Sequence, residues 1–172
     1  MKAWQTFILK FNGKALFLHN RFISSDNLQL FTDAASTRGF AAVFGKKWFY
    51  GDWSFLSSDY HISVLELFPI VLALELWGHL LKNHKVVFFS DNEAVVYVIQ
   101  KKTSHCKHMM RLLRRLVLVA LYHNVEFTSK NVPGKKNVVA DSLSRFDVQG
   151  ARKLSPGLEP SPQTIPNSLL HI

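Results

Sequence analysis

Four carboxylates stand where a chain could use them for chemistry: Asp33, Glu66, Asp91 and Asp141. Asp33 closes a short apolar run, Glu66 sits early in a long apolar stretch, Asp91 ends a second short run, and Asp141 lies in a last helical segment. Strand ends and helix starts are places from which a fold can gather acids without burying them in its core. Gathered carboxylates repel, which raises a proton affinity unless a cation neutralises them. Hard divalent ions such as Mg2+ prefer such oxygen donors. Two ions about 4 Å apart can hold both the attacking water and the leaving oxygen of a phosphodiester. Each acid also has a plainer reading. Asp33 and Asp91 suit turns, Glu66 suits a capping box with Ser63, and Asp141 suits a solvated helix face. Spacing alone does not show that the four converge.

The elements that must position these acids are legible in outline. Residues 28–32, 40–44 and 48–53 are β-rich runs, the last two flanking Gly45-Lys46-Lys47 as a hairpin. They predict three consecutive antiparallel strands. Ser57, Ser58, Asp59 and Ser63 are candidate caps for a helix running to Leu81, with a bend expected at Pro69. Residues 86–89 predict a buried strand, 92–100 a helix, and 108–122 an amphipathic helix with Met109, Leu112, Leu113, Leu116 and Ala120 on one side. A strand over 124–129 and a short helix over 137–145 complete the series. This order predicts an α/β fold, a mixed sheet with helices packed on its faces. Trp48, Trp53 and Trp77 read as core residues. Trp4, Phe7, Ile8 and Phe11 are turn-spaced in the mixed segment 1–27. Residues 147–172, with Pro156, Pro160, Pro162 and Pro166 among serines, are expected to be a disordered tail.

Composition narrows the partners. The 172 residues carry 21 Lys and Arg against 12 Asp and Glu, a formal charge of +9, which favours a polyanion such as nucleic acid. The one cysteine, Cys106, cannot form an internal disulfide and suits a reducing intracellular compartment, with cytoplasm and nucleus undivided. No cleavable leader pattern is present. The longest apolar stretch, residues 64–81, contains Glu66, Pro69, Glu75 and His79, so it reads as a core helix and no membrane role is expected. There is no Gly-rich phosphate loop and no Gly-x-Ser-x-Gly elbow. His105-Cys106-x-His108 is a fragment of a zinc pattern without further ligands beside it.

Four segments, in order, resemble the motifs of RNase H domains from retrotransposon reverse transcriptases. They are Leu30-Phe31-Thr32-Asp33-Ala34-Ala35-Ser36 with Gly39-Phe40-Ala41-Ala42-Val43; Val64-Leu65-Glu66-Leu67 with Ala73-Leu74; Phe89-Ser90-Asp91-Asn92-Glu93-Ala94-Val95; and the run from Val132 to Arg145 that contains Asn137-Val138-Val139-Ala140-Asp141-Ser142-Leu143-Ser144. Phe11-Asn12-Gly13-Lys14 onward resembles the connection that precedes this domain in DIRS-like elements. The resemblance implies a connection over residues 1–27 from an upstream reverse transcriptase module, and an RNase H-like domain over 28–146. The implied fold is a five-stranded mixed sheet, three antiparallel strands then parallel ones, with helices on both faces. It implies that Asp33, Glu66, Asp91 and Asp141 are metal-binding catalytic acids using Mg2+, with Mn2+ as a substitute. The implied reaction cuts the RNA strand of an RNA–DNA hybrid, leaving a 5′-phosphate and a 3′-hydroxyl.

Many members of that family carry a histidine in the loop before the last acid, where this chain reads Gly134-Lys135-Lys136-Asn137. Lys135 and Lys136 are candidates to hold the scissile phosphate, against the plainer reading of a solvated turn. Lys107, Arg111, Arg114 and Arg115 share one side of a helix and are candidates for phosphate contacts. Ser36, Thr37 and Asn92 are candidate donors to the 2′-hydroxyls that distinguish RNA from DNA. The alternative reading is a decayed or connector-type domain of the same fold that binds nucleic acid without cutting it. Retention of all four acids argues against it.

Overall fold

The computed structural model describes residues 22–56, 60–132 and 137–172, together with Gln5 and Leu9. Most of the expected connection over residues 1–27, the apolar face of Trp4, Phe7, Ile8 and Phe11, the cap candidates Ser57, Ser58 and Asp59, and both Lys135 and Lys136 lie outside the described residues.

Among the described residues six strands and six α-helices follow one another. A short strand β1 (Phe22–Ser24) and a single-turn helix α1 (Ser25–Leu28) lead into β2 (Leu30–Ala34), β3 (Gly39–Phe44) and β4 (Lys47–Asp52). The helix α2 (Ile62–Trp77) ends in a 3-10 turn, Gly78–Leu81. Then come β5 (Lys85–Ser90), α3 (Glu93–Lys101), α4 (Lys107–His123), β6 (Glu126–Asn131), α5 (Val138–Ser144) and α6 (Val148–Leu154). Strands β2, β3 and β4 pair antiparallel in that order. Strand β5 lies between β1 and β6, parallel to both. The three antiparallel strands and the parallel pair are those expected from sequence. Strand β1 is additional: it lies upstream of the expected sheet, and the α1 turn offsets it from β2 so that it pairs with β5 instead.

Alternation along β3 explains why both faces of the antiparallel sheet are covered. Phe40 and Ala42 point into the main core with Phe49, Phe68, Leu72 and Trp77, while Ala41 and Val43 point the other way, towards Trp48, Leu143, Ala151 and Leu158. The first face is closed by α2 and the second by α5 and α6. Gly39 is required by close packing, since a Cβ there would lie 2.2 Å from the carbonyl oxygen of Gly51 on β4. Gly45 supplies the left-handed turn of the β3–β4 hairpin at φ +60°.

Helix α2 is apolar on nearly every side because it runs between the sheet and α4; the span Ile62–Leu81 has the length and composition to cross a bilayer, but most of it is buried inside the fold. Its cap differs from expectation. His61, not Ser63, takes the N-cap position, and its ring accepts the Ser63 amide at 3.3 Å. The Ser63 side chain is buried and exchanges a hydrogen bond with Asn92 at the start of α3, so it joins two elements instead of starting one. The helix continues through the buried Pro69.

The segment 147–172 corrects the expectation of disorder. After α6 it runs back over the hairpin: Trp48 Nε1 donates to Glu159 O at 2.9 Å, the Gln163 amide donates to Trp48 O at 2.7 Å, and Trp77 Nε1 donates to Gln163 Oε1 at 2.5 Å. Leu158 and Ile172 are buried. Beyond α6, proline and serine leave the segment mostly irregular apart from a 3-10 turn at Asn167–Leu169, yet it docks, because indole and guanidinium donors on the domain take up its carbonyls.

Candidate active site

The chain order places three of the four predicted acids at one cleft. Asp33 is the fourth residue of β2, paired in register with Ala41. Glu66 lies one turn into α2 and is half-buried. Asp91 directly follows β5 and precedes the Asn92 cap of α3. All three line a single cleft, together with Thr32, Phe89, Val132 and Asn137. A further acid, Asp26 on α1, lines the same cleft. Asp141 is not among the lining residues: on α5 its carboxylate is held by Arg145, four residues on, at 2.9 Å, and it remains about half exposed. Its charge still acts on Asp33.

Crowding shows in the proton affinities. Burial pushes the Glu66 carboxyl up to about 7, the charges of Asp91 and Asp33 add to the rise, and a hydrogen bond from Asn92 opposes it. Burial likewise pushes Asp33 up to about 6, against the hydrogen bond from Ser144, with Asp141 and Asp91 raising it further and Arg145 lowering it. Two acids held above the ordinary carboxylate range beside a third are what a cation would relieve.

Local sequence explains how Asp33 is held. Ser144 follows Asp141 by three residues and lies one helical turn along α5, which packs across β2 and β3. Its fully buried hydroxyl donates to Asp33 Oδ2 at 2.6 Å. At the other end of α5, Asn137 donates from Nδ2 to Thr32 O at 2.6 Å and reaches Asp33 Oδ1 at 3.4 Å. The Asn137 Oδ1 is buried and has no hydrogen-bond partner among the described residues.

The donor chemistry fits a hard divalent ion: the cleft is lined by carboxylates, two of them with raised proton affinity. Among the described residues no three His, Cys, Asp or Glu side chains lie close enough together to grip an ion.

The predicted substrate residues fall in several places. Ser36 and Thr37 are exposed in the β2–β3 turn, outside the lining of the cleft. Asn92 accepts the amides of Ala94 and Val95 as the cap of α3 and so stands beside Glu66 with its side chain committed. None of Arg111, Arg114 and Arg115 lines the cleft. Arg115 makes a two-pronged pair with Glu75 of α2, at 3.0 and 2.7 Å, and also donates to the carbonyls of Leu169 and His171. Arg111 donates to the Ile172 carbonyl at 2.6 Å. Arg114 is exposed. Two of the three arginines thus tie the last residues of the chain to α4. Sequence reasoning missed Asp26, Asn137 and Ser144 as site residues. The i, i+3 spacing of Asp141 and Ser144 was the one signal available, and it pointed only to a shared helix face.

Comparison with known proteins agrees with this architecture. The family of RNase H-like domains found in reverse transcriptase matches residues 24–118, a span that contains Asp33, Glu66 and Asp91 and ends before Asp141. Among solved structures, the N-terminal RNase H domain of a Mycobacterium tuberculosis protein, fused to maltose binding protein, is similar with a TM-score of 0.52 and 14% identity, over 73% of this chain and 96% of that one. RNase H1 from the halophilic archaeon Halobacterium salinarum has a TM-score of 0.49 and 13% identity, over 70% of this chain and 94% of that one. No curated protein matches the chain.

Proposed function

The chain belongs to the RNase H-like domains found in reverse transcriptase, and from that premise we propose that it is a metal-dependent endonuclease that hydrolyses the RNA strand of RNA–DNA hybrids. The observation that carries this reading is the meeting of Asp33, Glu66 and Asp91, from three separate elements, at one cleft. Those three would hold Mg2+ or Mn2+, with Asp141 alongside. When bound, such ions supply an activated water and stabilise the leaving oxygen of the phosphodiester. The chain's own part is to present ionised carboxylates in fixed positions. Asp33 is steadied by Ser144 and Asn137, and Glu66 by Asn92, which is anchored in turn to Ser63. A formal charge of +9 favours approach of a polyanionic hybrid, and exposed Arg114 together with Lys135 and Lys136 are the residues we assign to its phosphates. Members of the family are found in reverse transcriptase, and an upstream reverse transcriptase module is the partner we assign to this chain.

A second reading is a decayed or connector-type domain that binds hybrid without cutting. The pairing of Asp141 with Arg145, outside the lining of the cleft, favours it. Both readings face one experiment: cleavage of an end-labelled RNA–DNA hybrid with Mg2+ or Mn2+, with chelator, and by Asp91→Asn. Asp91 is exposed, so the change spares the core. Loss of one ligand should lower metal-dependent cleavage by more than about 100-fold, beyond the range of changes made outside the ligands themselves, while hybrid binding persists. Binding without any metal-dependent cutting by the parent would favour the second reading.

A further inference from the structure

One helix grips both oxygens of Asp33. Ser144 holds Oδ2 at 2.6 Å and Asn137 approaches Oδ1 at 3.4 Å, from opposite ends of α5. The serine hydroxyl has one proton and two acceptors in reach, Asp33 Oδ2 and the Asp141 carbonyl at 2.9 Å. The carboxylate is nearer and charged, so it takes the proton. Ser144 is 0% exposed, so water cannot replace it as donor. Asn137 is oriented without ambiguity: both neighbours, Thr32 O and Asp33 Oδ1, are acceptors, which sets Nδ2 towards them and turns Oδ1 away, buried and unpaired among the described residues. Asn137 also lines the acid cleft.

We propose that Ser144 and Asn137 are positioning residues for the cleavage reaction, fixing the Asp33 carboxylate in the orientation that holds a divalent ion and setting its distance from Asp141. This inference rests on the nuclease reading above. A carboxylate on a single methylene rotates freely unless both oxygens are engaged, and donors behind a ligand commonly govern metal affinity as much as some ligands do. Because Ser144 and Asp141 ride on the same helix, the grip on Asp33 also fixes where Asp141 stands. A merely structural serine would stabilise α5 against β2 and leave ion binding alone.

The test compares the parent, Ser144→Ala and Asn137→Ala as full chains. Mn2+ affinity is measured by titration calorimetry, kcat and KM on a hybrid, and the thermal midpoint in chelator, with all assays run well below each midpoint. The expected result is a 10- to 100-fold (roughly) weaker Mn2+ affinity in Ser144→Ala, a matching fall in kcat, and an unchanged KM. Asn137→Ala should show the same pattern at smaller size. Should Ser144→Ala fail to fold, Asn137→Ala, at a partly exposed position, decides the question. Parent-like Mn2+ affinity and kcat in the folded variants would overturn the inference while leaving the nuclease reading intact. A parent that neither binds Mn2+ nor cuts hybrid would overturn the reading beneath it.

Discussion

Replacing Asp33 by asparagine should stabilise the metal-free protein while abolishing its activity. The carboxyl is displaced from 3.8 to about 6, chiefly by burial and then by Asp141 and Asp91, so the ionised form is disfavoured in the fold. At about 1.4 kcal/mol per pH unit, that displacement amounts to about 3 kcal/mol of lost stability once the group is charged, an upper bound. The folded form holds the proton more tightly than the unfolded chain. Stability is therefore full below pH 3.8 and is lost as the pH rises through about 6. Asparagine keeps the shape and offers its carbonyl oxygen to the Ser144 hydroxyl, without the charge. In chelator at pH 8, Asp33→Asn should gain about 1–3 kcal/mol, or several degrees in Tm for a chain of this length. The gap should close below about pH 4. Urea melts from pH 3.5 to 8 would measure it. Saturating Mg2+ should reverse the order, since only the parent gains binding energy. A parent at least as stable as the variant at pH 8 in chelator would refute the reasoning.

Two further perturbations probe the frame around the site. Glu75→Ala should cost about 3 kcal/mol, because it strands the Arg115 charge among carbonyls in a place where the pair is only 12% and 10% exposed; an unchanged urea midpoint would show that the Leu169 and His171 carbonyls suffice. A chain ending at Ser155 should lose about 2–4 kcal/mol from the two indole hydrogen bonds and the burial of Leu158 and Ile172. Its tryptophan fluorescence should shift to the red as Trp48 and Trp77 meet water, and an unshifted spectrum would mean that the segment does not cover them.

The sequence by itself determined the elements and the acids. Alternation along residues 40–44, the turn at Gly45 and the largely apolar run after Ser63 each state a local preference strong enough to survive folding, and the α/β order follows from them. The acids at element ends were legible because strand and helix termini are marked by local residue types. What the tertiary structure decided depends on contacts between distant segments. Asp26 joins the cleft only because α1 offsets β1 from β2, and Ser144 finds Asp33 only because α5 lies across β2. Arg111 and Arg115 share a helix side that suits phosphate, yet their donors go to carbonyls of a segment more than fifty residues away. That same segment, rich in proline and serine and mostly irregular after α6, is ordered by Trp48, Trp77 and Arg115. The donors it needs exist only once the hairpin, α2 and α4 have assembled, so neither its order nor the grip on Asp33 could be read from local pattern.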